Sequence, residues 1–266
     1  MIGSGSSRRT TALLDVLAAS HARLRELVEP LAEAELDRPA YPREWCLAQV
    51  VSHLGSSAEV FGLFLDAGLE ERPLPGLDRI RPVWAAWGAK PPADAVRDAL
   101  VADQALLARF SGLGEQRREA WRLHMWDGDT DYAGLLRMRL FEHTVHSWDV
   151  AVALDPGARL AGDAVPLLVD HLGPITRRTA LPHEPARIRV DTTDPDRVLL
   201  LDLGETGDMR AWDSGEVQGR LRMPAEALIR LVYGRLATDH AVAVDPVWVD
   251  LDGLELADLV ASFSGP

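Results

Sequence analysis

The run RMRLFEHTVHSWDV, residues 137–150, decides the reading of this chain. Arg139, Glu142, His146 and Asp149 lie three or four residues apart, so a helix through the run lines them along one face with Leu135 and Met138. The segment is too apolar to be left in water: Leu135, Leu136, Leu140, Phe141, Val145, Trp148, Val150 and Val152 require most of the helix surface to be buried. Buried charges persist only when they are paired or bind a metal. The sequence therefore predicts a polar site inside a helical core.

Upstream, Leu13, Leu17, His21, Leu24, Val28 and Leu31 recur at helical spacing and predict a first helix over roughly residues 9 to 34, preceded by a loose tail and ending before the loop from Pro39 to Pro42. His21 sits on its apolar stripe. From Trp45 a second helix carries Leu47, Val50, Val51, Leu54, Phe61 and Leu65, with His53 in its middle turns, and stops where Pro73 and Pro75 cluster. Pro91-Pro92 opens a third helix with Val96, Leu100, Leu107 and Phe110, closed near Gly112 and Gly114; Trp84 and Trp87 fall in the loop before it. The Glu142 helix, about Asp131 to Leu154, is the fourth, and four such helices read as an antiparallel bundle whose core can hold a site built from facing side chains.

After Asp155-Pro156-Gly157 the texture changes. A helix from about Asp163 to Ala180 leads into short segments rich in Val, Ile and Leu: RIRVDTT, RVLLLDL, MRAWD and GRLRM, with turns signalled at Asp194-Pro195 and from Gly204 to Asp208. Pro224 starts an apolar helix from Ala225 to Leu236, followed by a strand at Val247 to Leu251 and a last helix from Leu254. The fold class expected is α+β: a helical bundle over residues 1–160 and a small α+β domain over 161–266.

Composition narrows the function. The 266 residues, 47% hydrophobic, suffice for a real core. A formal net charge of −13 argues against a nucleic-acid or anionic-membrane partner, and no apolar run approaches a membrane span or a signal peptide, so a cytoplasmic protein is expected. Cys46 is the only cysteine, which excludes an intrachain disulfide and a multi-cysteine zinc site; metal ligands would have to be His, Asp or Glu.

Glu142 and His146 have the i,i+4 spacing that lets two ligands on one helix reach a single ion, and His53, mid-helix with no capping role, is the natural third. Two His and one Glu leave an open coordination position, as a catalytic metal requires, and Asp149 could accept the other imidazole N–H of His146. Alternatives stand beside this. An E-x-x-x-H pair on a helix is commonly a salt bridge, and His143 could itself be a ligand, leaving Glu142 to Arg139. The series Asp127, Asp129, Asp131 resembles the start of a calcium loop but has Tyr132 and Met138 where glycine and glutamate are required, so it reads as a loop and helix cap.

The run WCLAQVVSHL from Trp45 to Leu54, followed some ninety residues later by RLFEHTVHSWDV, resembles the paired motif of the mycothiol-dependent maleylpyruvate isomerase family. The resemblance implies a DinB-like four-helix bundle whose divalent metal, zinc, is held by His53, Glu142 and His146, with His143 a bystander. The second half is similar to that family's sterol-carrier-like domain. Gly234-Arg235 matches its helix-ending Gly-Arg, which implies substrate handling for Arg235, with Arg220 and Arg222 as rivals. Cys46 departs from the family, which usually has Ser or Thr as the helix cap.

The chemistry implied uses mycothiol, a low-molecular-weight thiol, as nucleophile on an activated alkene of the maleylpyruvate kind. The same machinery would equally serve an S-transferase acting on another electrophile. The partners expected are those two small molecules, in a monomer or homodimer. A non-catalytic module with a buried salt-bridge network is the reading from another class.

Overall fold

Four long helices organise the first half of the chain: α1 (Gly3–Val28), α2 (Leu47–Leu69), α4 (Pro92–Gly112) and α6 (Tyr132–Leu154). The structure, a computed structural model, describes residues 3–41, 44–126, 128–236, 247–251 and 255–265. Backbone contacts divide the chain into two compact units, residues 1–158 and 159–266.

In the first unit α2 packs on α4 and α6, and α1 on α6 and α4, with α6 central to the core. Its residues Leu135, Leu136, Leu140, Val145 and Val150 are fully buried, as a helix apolar on nearly every side demands. The periodic segments became helices, with several corrections. The backbone is helical from Gly3, where a loose tail was expected, and α1 ends at Val28 rather than near residue 34, because Pro30 stands two residues on and cannot donate to the helix ladder.

The expected loop before α4 holds a helix, α3 (Leu77–Gly88), with Pro82 inside it. Trp87 of α3 is buried and Trp84 is exposed. Trp87 lies so close over Gly55 of α2 that an added Cβ there would stand 2.3 Å from its ring, and its indole donates to Glu59 Oε1 at 2.9 Å. A further helix, α5 (Glu115–Ala120), and a hairpin of β1 (Arg122–Met125) and β2 (Gly128–Asp131) lead into α6. Asp131 is the α6 N-cap, its carboxylate accepting from Gly134 N at 2.7 Å, while Asp129 lies in β2 and Asp127 lies outside the described residues.

In the second unit the strands are β3 (Ala186–Thr193), β4 (Arg197–Leu203), β5 (Asp208–Ala211), β6 (Gly219–Pro224) and β7 (Trp248–Leu251), in sheet order β5-β4-β3-β6-β7. Among the described residues of the sheet, only β3 and β6 pair parallel. Ile188, Val190, Leu199, Leu201, Leu221 and Met223 share the buried face, against which α9 (Ala225–Val232) packs its leucines. The helix expected over 163–180 is broken into α7 (Val165–Leu168), a 3-10 turn and α8 (Gly173–Thr179), since Gly173-Pro174 interrupts it.

The helix after Pro224 stops at Val232, short of the expected Leu236. Gly234 adopts φ +65 there, and bonds from Gly234 N to Leu231 O and Arg235 N to Arg230 O close a Schellman end. The final helix spans Leu256–Ala261; Leu254, where it was expected to begin, lies outside the described residues. Among the described residues no helix is long and apolar enough to cross a membrane.

Candidate metal centre

Cys46 caps α2 with extended backbone, and Gln49 Oε1 accepts from its amide at 2.8 Å. From that fixed start, Val50, Val51 and Leu54 turn inward, which carries His53 to the edge of the same face. On α6, Glu142 and His146 are one turn apart and meet it. His53 Nε2 lies 3.2 Å from Glu142 Oε2, and His146 Nε2 lies 3.8 Å from the same oxygen. One donor atom from each of the three side chains falls within 4.8 Å of the others.

The imidazole of His146 is pinned by Asp149, whose Oδ2 is 2.9 Å from Nδ1. A carboxylate there selects the Nδ1–H tautomer and leaves Nε2 with its lone pair toward Glu142. The Trp45 ring stacks on His146 at 6.2 Å and tilts over His53 at 5.3 Å. His146 is buried, while the His53 and Glu142 side chains remain 31% and 26% exposed, so the donor set opens to one side.

Burial pushes the His53 imidazole below its usual pKa, against the pull of Glu142. Burial would raise the Glu142 carboxyl, yet its hydrogen bond with His53 and the charges of His146, His53 and Arg139 hold it at about 2. The result is an ionised carboxylate between two imidazoles. Among the described residues no lysine or arginine is paired with it. A partly buried anion so placed calls for a cation, and the donors are those a zinc-type ion takes.

Arg139 does not serve Glu142. Its Nη2 donates to Asp103 Oδ1 at 2.7 Å and to Leu54 O at 3.1 Å, and its Nη1 donates to Ser57 Oγ at 3.0 Å. His143 also turns away from Glu142, with Nε2 at 2.9 Å from Asp103 Oδ2. His21 Nδ1 reaches the same oxygen at 2.8 Å, so His21 is a hydrogen-bonded core histidine. Asp103 was missed in the sequence, although its place on the apolar stripe of α4 with Ala99, Leu106, Leu107 and Phe110 is the signal that would have found it.

Arg235 is buried in the second unit, where Nη1 donates to Tyr233 O at 2.8 Å. Arg220 and Arg222 alternate on the outer face of β6. Trp148 is buried, its indole donating to Ala158 O at 2.9 Å.

A helical bundle that converges two histidines and a glutamate from facing helices defines the class: a bundle with a metal-type donor set on its inner wall. The family model for the mycothiol maleylpyruvate isomerase N-terminal domain matches residues 17–151, and the chain belongs to that family. The crystal structure of a mycothiol-dependent maleylpyruvate isomerase is similar with a TM-score of 0.62 at 14% identity, covering 85% of this chain and 89% of that one. A histidine-to-alanine mutant of such an isomerase gives 0.65 at 13% identity, with 90% and 92% covered. At such identity the likeness is one of fold. No curated protein matches the chain in sequence.

Proposed function

We propose that the chain is a metal-dependent enzyme that uses a low-molecular-weight thiol, mycothiol, as its nucleophile, and that it isomerises an activated cis alkene of the maleylpyruvate kind. The observation that carries this reading is Glu142 held ionised between His53 and His146, a donor set with one open side and, among the described residues, no lysine or arginine paired with its carboxylate. Family membership supports the thiol and the reaction class.

His53, Glu142 and His146 would hold a divalent ion, which when bound would stabilise the sulfur of the thiol as thiolate at neutral pH. Asp149 keeps the His146 ring in the tautomer that faces inward. Trp45 covers the two imidazoles with an apolar ring, which limits water on that side and strengthens charge interactions behind it. In the reaction the sulfur adds to the activated double bond, the resulting single bond rotates, and elimination restores the thiol and the trans alkene with nothing consumed.

The test is metal content by mass spectrometry on protein purified without an affinity tag or added metal, followed by turnover of maleylpyruvate with and without mycothiol. Near-stoichiometric zinc in the parent chain, absent from folded Glu142→Ala and His146→Ala proteins together with thiol-dependent turnover, is the expected result. Folded parent protein that binds no zinc when it is supplied would end the reading. Metal without isomerisation, but with mycothiol consumed by other electrophiles, would redirect it to an S-transferase. The role implied for Arg235 has its own test: Arg235→Ala is expected to keep the metal and lose turnover.

A further inference from the structure

A second group of two histidines and a carboxylate, His21, Asp103 and His143, lies in the same bundle, with donor atoms again within 4.8 Å of one another. All three side chains are buried. By composition it is a metal site. Its hydrogen bonds give it a different character.

The atoms that face one another in this group are already engaged. Asp103 Oδ2 takes His21 Nδ1 at 2.8 Å and His143 Nε2 at 2.9 Å, and Oδ1 accepts from Arg139 at 2.7 Å. The far nitrogen of His143 meets Ser20 Oγ at 2.8 Å and Ser147 Oγ at 3.1 Å. A dication bound to Oδ2 would break two hydrogen bonds and sit beside a guanidinium that is fully buried on the same carboxylate. Like charges that close in a desolvated core repel strongly.

The network also has reach. It draws Ser20 and His21 from α1, Leu54 and Ser57 from α2, Asp103 from α4, and Arg139, His143 and Ser147 from α6. Arg139 is its hinge. The guanidinium bonds the carbonyl of Leu54, the residue after His53, and its own backbone lies one turn before Glu142. One planar group thus sets the height of the His53 turn on α2 against the Glu142 turn on α6.

We infer that Arg139 and Asp103 are positioning residues for the His53, Glu142 and His146 donor set, and that the His21, Asp103 and His143 group is a hydrogen-bonded clamp and not a second metal site. This rests on the metal reading above. Groups that orient ligands from behind typically govern affinity by about 10- to 100-fold.

The experiment is zinc and cobalt titration of the full chain against a chromophoric chelator, with parent, Asp103→Asn and Arg139→Lys proteins. The parent is expected to bind one ion per chain. Both variants are expected to bind about 10- to 100-fold more weakly, with a shifted cobalt visible spectrum, in protein whose far-ultraviolet circular dichroism is unchanged. Should Asp103→Asn fail to fold, Arg139→Lys carries the test, because it keeps the charge and removes only the planar fork. Folded variants with parental affinity and an unshifted cobalt spectrum would overturn the positioning role. A second tightly held ion that Asp103→Asn removes would overturn the clamp. A parent chain that binds neither metal would overturn the metal reading itself and this inference with it, an outcome distinct from the other two.

Discussion

His53, Glu142 and His146 and, deeper in the same bundle, His21, Asp103 and His143 are both pairs of imidazoles around one carboxylate. In the deeper group the carboxylate is met by a buried arginine, and its hydrogen bonds run from 2.7 to 2.9 Å. In the outer group the histidine nitrogens stand 3.2 and 3.8 Å from Glu142, with no arginine or lysine among the described residues to balance it. Residue types do not separate the two. What separates them is whether an arginine already meets the carboxylate, and the outer group, where none of the described residues supplies one, is the one proposed to take an ion.

The comparison breaks first if Asp103 is not essential to its own group. Asp103→Leu leaves the Arg139 guanidinium buried without its counter-charge, and about 3–5 kcal/mol of stability should be lost in urea unfolding. Glu142→Ala in metal-free protein should lose much less, because its partly exposed carboxylate gives up only its contacts with two imidazoles and leaves no buried arginine without a counter-charge. Its cost appears in metal affinity, which should fall by more than the roughly 100-fold that a supporting residue commands. Competition titration alongside urea melts of both variants reads the two effects. A matching loss of stability in the two apo proteins would erase the distinction.

Acid sharpens the same contrast. Burial alone would raise the Asp103 carboxyl, but its interactions with His143 and Arg139 and its hydrogen bonds with both histidines hold it well below the usual range. A carboxylate whose pKa is depressed in the folded state stabilises fully above its unfolded pKa, near 3.9, and that contribution is lost as pH falls through the folded value. Below about pH 4 the parent stability should therefore fall by up to about 1.4 kcal/mol per pH unit more steeply than that of Asp103→Asn. Urea midpoints at pH 3 and pH 4 measure it, and parallel slopes would show that Asp103 is not held ionised.

How far all this could be read beforehand depended on the range of the interactions. The strands β3 and β6 alternate with period two, β4 is a short apolar run, and α2 and α6 carry long apolar repeats, so they were visible as text, as was the convergence of His53 with Glu142 and His146. α3 was hidden because Pro73, Pro75, Pro82 and Pro91 suggest a loop, and Pro82 lies past the first turn of the helix that forms, where it removes a ladder hydrogen bond. The β1-β2 hairpin has strands of four residues, too short to show alternation. The partner of Arg139 was out of reach for another reason. Glu142 is its neighbour on the helix and Asp103 its neighbour only in space, and a guanidinium buried at 0% exposure takes the carboxylate that the packing seals against it.

The smallest effect tests whether affinity and stability can be moved apart. At the start of α2 the Gln49 side chain accepts from the Cys46 amide, but the Cys46 thiol makes no cap hydrogen bond, so half of a capping box is in place. Cys46→Ser supplies an oxygen acceptor for the exposed amides of the first turn and should add about 0.5–1 kcal/mol. In a chain of this size that raises the melting temperature by roughly 1–4 °C. The helix that carries His53 is then firmer at its end, while the Arg139 network that sets its height is untouched, so zinc affinity should stay at the parental value. If affinity rose in step with stability, the donor set would be limited by fraying of α2 and not by the clamp, and the weakening expected of Asp103→Asn would have to be reread as a loss of fold.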